Sequence, residues 1–228
     1  QRMNLLNDSC YWGAAIIKNV IECFGKTSAL PHSVLLDLSY ANGIRDKVLF
    51  GGDGLITKQG LRKPSYYAYS FLQKAGPYYL GKKENAIIFG NEFSEYQIIC
   101  HNCKRLSYHY YLDEMEQRLE KINQYFVDEN EKKLKFRLEN VKNGRYIVKR
   151  HSVNMQHGSV QDEVRRIAPY ESLLVPAFLH KDEVDYLKQI LVPQQTLRTY
   201  EVENGVLELQ ITLAVNEISY LNIQYAYY

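Results

Sequence analysis

The chain has 228 residues, of which 46% are hydrophobic, and its formal net charge is +2. This length is sufficient for one large core or two modest ones. The small net charge, with basic and acidic residues interspersed, argues against a nucleic-acid-binding surface. No signal-peptide pattern stands at Gln1 and no apolar run could span a membrane, so we expect a cytoplasmic protein with reduced cysteines.

The first third of the sequence has the alternating helix and strand patterns of an α/β protein. Asp8 or Ser9 can cap a helix that runs from Cys10 through Phe24, and Gly25 supplies a left-handed stop. The nearly continuous apolar run Ser33–Leu38 is typical of a parallel strand that is covered on both faces.

A glycine-rich loop, Phe50–Leu55, follows this predicted strand. Pro64 then occupies the first position of a second helix, Ser65–Ala75, which Gly76 ends. One strand cannot form a sheet, and a (β/α)8 barrel needs about 250 residues. We therefore expect further polypeptide upstream to complete this architecture.

After Pro77 the apolar residues recur with a period of two, which predicts strands. Ala86–Gly90 and Tyr96–Cys100 read as paired strands, and Ile218–Tyr225 reads as the last strand. Two charged segments, Leu112–Ile122 and Lys181–Leu191, read as helices, the first as a surface insertion.

Two Asn-Gly pairs predict hairpins in the same region. Asn143-Gly144 would join the strand around Phe136 to the strand around Val148, and Asn204-Gly205 would join Thr199–Glu203 to Val206–Leu213. Strands at this spacing favour a β-sandwich. The predicted domains are therefore a barrel-like segment at 1–77 and a β-sandwich at 78–228.

The pair Cys100 and Cys103 has the spacing of a redox or zinc motif, but a zinc site needs four ligands. No second pair exists, and His109, the nearest candidate, lies in what reads as a strand. We expect ordinary strand cysteines, with no bound metal and no cofactor.

Several stretches, taken in order, resemble glycoside hydrolase family 39, the β-xylosidase family. The segment 7–11 followed by Ala14-Ala15 resembles the family's helix after the seventh barrel strand. The segments 50–55 and 63–67 resemble its stretch around the eighth strand and helix. The resemblance implies a fold of α/β plus all-β type: the last segment of a (β/α)8 TIM barrel followed by a β-sandwich domain.

The segments 138–150, 158–163 and 184–213 are similar to the C-terminal, sensor-like regions of AraC-type transcriptional regulators. This resemblance implies a sugar or another small molecule as effector. DNA contact would occur only through an upstream helix-turn-helix region, because no such pattern occurs in this chain.

A retaining glycosidase needs two carboxylates about 5–5.5 Å apart. In the family both precede the part that this chain resembles, so no catalytic residue is assigned here. The pocket positions also depart from the enzymes: His32-Ser33 replaces Tyr-Trp, Tyr40-Ala41 replaces an acidic pair, Phe50 replaces a His and Asp53 replaces an aromatic residue.

The candidate remnants of a sugar pocket are His32, Asp37, Phe50, Gly52 and Asp53. Asp37 matches a family Asp at the end of the eighth strand, and a carboxylate at Asp53 lies where a barrel places ligands. Each has a structural alternative: Asp37 as the cap of a turn over 40–43, the paired glycines for close packing, and His32 as a hydrogen-bonded structural residue.

Three functions are consistent with these patterns. The first is a non-catalytic effector-binding or interaction region of an AraC-type regulator. The second is the C-terminal part of an active β-xylosidase whose catalytic Glu residues lie upstream. The third is a β-sandwich binding module with an accessory helical layer.

Apolar surface on residues 1–77 must be covered, because exposing it costs roughly 25 cal/mol per Å². We expect the second helix to pack on the sandwich through Tyr66, Tyr67, Phe71 and Leu72. We expect the strand Ser33–Leu38 to pair outside the chain, with the upstream part of the same protein or with a second copy in a homo-oligomer.

Overall fold

The computed structural model describes residues 4–37, 48–113, 119–167 and 179–227. Its five α-helices are α1 to α5, with bounds Cys10–Cys23, Pro64–Leu72, Tyr108–Leu112, Val160–Ile167 and Lys181–Ile190. Short 3-10 helices span Leu5–Asp8 and Leu119–Tyr125. No helix in these ranges is long and apolar enough to cross a membrane.

Eight strands account for most of the second half of the described chain. In order, β1 to β8 are Tyr78–Lys83, Ala86–Gly90, Tyr96–His101, Lys132–Glu139, Gly144–Val153, Gln194–Val202, Val206–Leu213 and Ile218–Tyr225. Six of them form an antiparallel sheet in the order β1-β2-β3-β8-β5-β6, and β4 pairs with β7 in a second sheet.

The two sheets pack face to face through a shared apolar core. The large sheet contributes Ile98, Val148 and Leu221, and the small sheet contributes Phe136 and Leu209. All five are buried. The narrow sheet therefore covers the middle of the wide one.

The helices α1 and α2 pack on the opposite face of the large sheet. Ile17 and Phe71 join Ile87, Ile99 and Tyr220 in a second core. The rings of Phe71 and Tyr220 stack with their centroids 5.8 Å apart. The predicted contact face of α2 is confirmed, since Tyr66, Tyr67 and Leu72 belong to the same core.

The predicted helices and strands are mostly present, with small changes at their ends. Ser9 rather than Asp8 caps α1, because its hydroxyl accepts a hydrogen bond from the Tyr11 N–H. Gly25 follows α1 with a φ of +80°. The predicted strand pair β2 and β3 is confirmed, in a regular antiparallel register.

Both predicted hairpins are wrong in their pairing. The turn at Asn143-Gly144 joins β4 to β5, yet β4 pairs with β7 while β5 pairs with β6 and β8. Asn204-Gly205 likewise links β6 to β7, which lie in different sheets. Asn204 and Gly205 have positive φ, as hairpin residues would. These corners instead contact each other, with the Gly205 N–H donating to Asn143 Oδ1 over 2.7 Å.

The surface insertion predicted at Leu112–Ile122 is also corrected. Tyr110, Ile122 and Tyr125 are buried and pack on Leu6, so the flanks of this segment form a small core. Residues 114–118 lie outside the described ranges. The helix α4, whose Val160 and Val164 are buried against α5, was not predicted.

The run predicted as a parallel strand at Ser33–Leu38 forms one parallel bridge, Leu36 to Ile56, in its described part. The Ile56 N–H donates to the Leu35 carbonyl over 3.1 Å, and the Asp37 N–H donates to the Ile56 carbonyl over 2.9 Å. This edge therefore pairs inside the chain, contrary to expectation. Leu35 and Leu36 nevertheless remain 59% and 43% exposed.

Candidate functional site

A buried lysine organises the glycine-rich loop. Lys63 directly precedes α2, and its ammonium lies 2.5 Å from Asp8 Oδ1 and also pairs with Asp37 Oδ2. It donates a further hydrogen bond to the Gly52 carbonyl over 3.0 Å. The three charged side chains are at most 1% exposed.

The same carboxylates hold the loop backbone. The Gly51 N–H donates to Asp8 Oδ2 over 2.7 Å, and the Gly54 N–H donates to Asp37 Oδ1 over 2.7 Å. Each carboxylate thus forms an ion pair with the lysine through one oxygen and accepts a hydrogen bond from a backbone amide with the other. The loop is fixed at both ends by charge-assisted hydrogen bonds.

Glycine is required where the loop passes these carboxylates. A Cβ at Gly52 or Gly54 would lie under 3.0 Å from Asp37 Oδ1. Gly51 has a φ of +71°, and a Cβ there would meet the Asn4 backbone under 3.0 Å. The paired glycines therefore serve close packing around the ion pairs.

Two carboxylates share one ammonium in this buried group. Burial raises the pKa of Asp37, against the lowering effect of Lys63. Burial alone would lower the pKa of Lys63, but Asp8 and Asp37 outweigh it and raise that pKa. Lys63 therefore remains a cation at neutral pH.

A second set of contacts holds the half-buried side of the loop. The His32 Nε2 lies 2.8 Å from the Asp53 carbonyl and donates to it, because a carbonyl can only accept. The Asn7 amide donates to Asp53 Oδ1 over 2.9 Å and to the Gly51 carbonyl over 3.1 Å. The His32 ring lies 5.5 Å from that of Tyr69.

The structure brings the five predicted pocket residues together. Asp37 is buried, while His32, Phe50, Gly52 and Asp53 are half-buried around it. Tyr40 and Ala41, and the turn over 40–43 that Asp37 could cap, lie outside the described residues. That these residues touch a sugar stays a prediction.

Sequence reasoning missed the roles of Asp8 and Lys63. Asp8 was assigned only as a helix cap, and Lys63 only as part of a motif. Neither residue has a neighbour in the sequence that would indicate this role. The ion pair spans 55 positions between residues 8 and 63, so only the folded chain reveals it.

Of the two cysteines predicted to lie in a strand, Cys100 lies in β3, whereas Cys103 lies just after it. Cys100 is buried within the strand and Cys103 follows it half-buried, and burial raises the pKa of these thiols to about 12 and about 11. His109 lies in α3, so its assignment to a strand was wrong. Among the described residues, no group of three or more His, Cys, Asp and Glu could hold a metal ion.

The fold is one found in glycoside hydrolases, and it matches the C-terminal region of family 39 (GH39) β-xylosidases. The GH39 enzyme from Xanthomonas axonopodis pv. citri has a TM-score of 0.79 and 16% identity, over 99% of this chain and 43% of that chain. A monomeric β-xylosidase from Caulobacter crescentus CB15 has a TM-score of 0.79 and 17% identity, over 100% of this chain and 44% of that chain.

A bacterial orthologue of human α-L-iduronidase is similar at a TM-score of 0.64 and 7% identity, over 98% of this chain and 39% of that chain. No family model matches the sequence, and no curated protein matches it either. At these identities the similarity shows the fold alone. The chain spans less than half the length of the proteins whose fold it shares.

Proposed function

We propose that this chain is the non-catalytic C-terminal part of a GH39-like protein, in which the loop 51–54 closes one side of a sugar-binding barrel. The observation that carries the proposal is the buried group of Asp8, Lys63 and Asp37, which commits both carboxylates to holding that loop. The expected ligand is a sugar or another small molecule.

The two carboxylates cannot replace a catalytic pair. A retaining glycosidase needs one nucleophile and one acid/base group, both facing the sugar. Asp8 and Asp37 are instead closed off from solvent, flank an ammonium and accept backbone hydrogen bonds. A nucleophile fixed in this way has no path to an anomeric carbon.

The exposed leucines support a barrel that continues in other polypeptide. Leu30 is 43% exposed, and Leu35 and Leu36 extend the same run of chain. In a complete barrel this surface would be covered by neighbouring strands and helices. The chain covers 43% and 44% of the two glycoside hydrolase chains named above. A protein of their length would have further polypeptide that could cover these leucines.

Within this proposal, the regulatory role is the first candidate. The departures at His32, Phe50 and Asp53 remove family groups that stack on or bond to a sugar, which suits an effector site better than a xylosidase pocket. A role in an AraC-type regulator rests on the sequence resemblance. DNA reading would then belong to an upstream helix-turn-helix region.

The second candidate is the C-terminal part of an active β-xylosidase, whose catalytic Glu residues would lie in the preceding segment. The similarity to two β-xylosidase structures favours it. The upstream reading frame separates the two candidates. A Glu at the end of the preceding strand favours the enzyme, and two helix-turn-helix motifs favour the regulator.

The test of the non-catalytic role is an assay of the purified chain against aryl β-xylosides. We expect no turnover above the rate of the uncatalysed reaction, because neither carboxylate can reach a glycosidic bond. Asp8→Asn serves as a control for contaminating activity, which it would not change. Turnover that follows the protein through purification and is lost in Asp8→Asn would contradict the proposal.

A further inference from the structure

An open groove of about 440 Å³ lies where the two sheets diverge. The pair β4–β7 is narrower than the six-stranded sheet, so the inner face of the edge strand β6 is not covered. The lining residues come from β5 to β8 and include Arg150, Thr196, Arg198 and Tyr200. Gln210 and Thr212 line the groove from the edge of β7, whose Leu209 and Ile211 side chains face the core.

The inner face of β6 is polar, unlike that of its neighbours. Arg198 lies opposite Val148 and Thr196 lies opposite Arg150 in the β5–β6 register, so these side chains share one face of the sheet. On β8 the same face carries Leu221 and Ile223, which are buried under the small sheet. A sheet face that packs under another strand is usually apolar. The polar side chains of β6 therefore indicate a face that remains in water and can contact a polar ligand.

The two arginines of the groove have different surroundings. Arg150 donates to Glu217 Oε1 over 2.5 Å, to the Thr212 carbonyl over 2.8 Å and to Ser219 Oγ over 3.1 Å. Its charge is therefore balanced within the fold. The Arg198 side chain is exposed, and its guanidinium forms no ion pair or hydrogen bond with the described residues.

We propose that this groove binds a carboxylate-bearing oligosaccharide. The planar guanidinium of Arg198 offers a bidentate match to a carboxylate. The hydroxyl of Thr196 supplies sugar hydrogen bonds from β6, and the half-buried Tyr200 on the same face of β6 offers a ring for stacking. The groove volume falls in the range of small-ligand sites, roughly 300–1,000 Å³.

The acidic residues nearby indicate which end of the groove binds the carboxylate of the ligand. A smaller groove of about 220 Å³ shares Arg150, Thr196 and Thr212 with the first and is lined further by Glu131 and Glu217. Glu217 is already paired with Arg150. The ligand carboxylate therefore binds at the Arg198 end, away from Glu131.

The test is calorimetric titration of the chain with trigalacturonic acid, with xylotriose as the neutral control ligand. We expect the acidic trisaccharide to bind and the neutral one to bind about tenfold more weakly or not at all, because a charged hydrogen-bonded pair is lost. Arg198→Gln should weaken binding of the acidic ligand about tenfold.

Arg137→Gln is the matched control, since Arg137 is an exposed arginine of β4 that pairs with Glu139 and Glu208 outside the groove. It should leave the affinity unchanged. Absence of binding, equal binding of both trisaccharides, or an unchanged affinity in Arg198→Gln would overturn the proposal. So would capture of an uncharged extended peptide along the free edge of β7 in place of the sugar.

Discussion

The sheet region and the segment before it are stabilised in different ways. The large sheet is covered on both faces, by α1 and α2 on one side and by β4–β7 on the other. Around the loop 51–54, three buried charges and a set of glycines carry the structure, while Leu35 and Leu36 face solvent. Apolar packing on both faces therefore stabilises the sheet region, and buried charges stabilise the loop segment.

Removal of the Lys63 charge should have the largest effect on the stability of the loop segment. Lys63→Met should lower the free energy of unfolding by about 3–5 kcal/mol, because it leaves two carboxylates buried without a cation. Urea unfolding at neutral pH measures this change. Lys83→Met, at an exposed lysine of β1, should change it by less than about 0.5 kcal/mol.

Comparable losses in the Lys63 and Lys83 variants would show that the buried ion pairs do not hold the loop. A small loss in both would mean that water reaches Asp8 and Asp37. Either result would remove the distinction between a loop segment held by charges and a sheet region held by apolar packing.

The glycines offer a second test with a matched pair. Gly52→Ala should cost about 2–3 kcal/mol, because its Cβ would meet Asp37 Oδ1 and force the paired carboxylate aside. Gly81→Ala, in β1, has no atom within 4 Å of the added Cβ and should be nearly neutral. Thermal unfolding of the two variants gives the comparison, and equal midpoints would contradict it.

In the sheet region, one titratable group should dominate the response to mild acid. His101 is buried at the end of β3, where its Nδ1 accepts from the Cys103 N–H over 3.0 Å and its Nε2 lies 3.2 Å from the Glu84 carbonyl. Burial lowers the pKa of His101 from 6.5 to about 4. The folded state therefore disfavours its protonation.

The direction of the change in stability with pH follows from proton linkage. The unfolded chain binds the proton at a higher pH than the folded chain does, so stability is full above pH 6.5 and falls between pH 6.5 and 4. We expect a loss of about 2 kcal/mol between pH 7.5 and 5.0, at 1.36 kcal/mol per pKa unit. Urea unfolding of His101→Gln should show a flatter pH dependence, and identical slopes would contradict the assignment.

Local patterns predicted the elements well and their tertiary partners poorly. The bounds of α1, α5 and β8 follow from capping residues and periodicity, which are properties of short segments. The pairing of β4 with β7 does not, because Asn-Gly supplies positive φ equally to a hairpin and to a corner between sheets. The family resemblance grouped Asp37, Gly52 and Asp53, which lie close together in the structure, and their role as a sugar site stays a prediction.

The buried cation at the centre of that site escaped prediction for a physical reason. Lysine is rarely buried without a partner, so a lone Lys63 in the sequence reads as a surface residue. Its burial depends on two carboxylates from distant positions, Asp8 and Asp37, that converge only after folding. Ion pairs between residues that are distant in the sequence leave no recognisable pattern in any short segment.

Hydrogen exchange of the isolated chain tests the central difference between the two regions most directly. We expect slow exchange for Ile98, Ile99 and Leu221, which lie in paired central strands and are at most 1% exposed. We expect fast exchange for the amides of Val34, Leu35 and Leu36, because the single bridge to Ile56 leaves the side chains of Leu35 and Leu36 exposed. Strong protection of those three amides in a proven monomer would show that this segment is complete without further polypeptide, and would contradict the account.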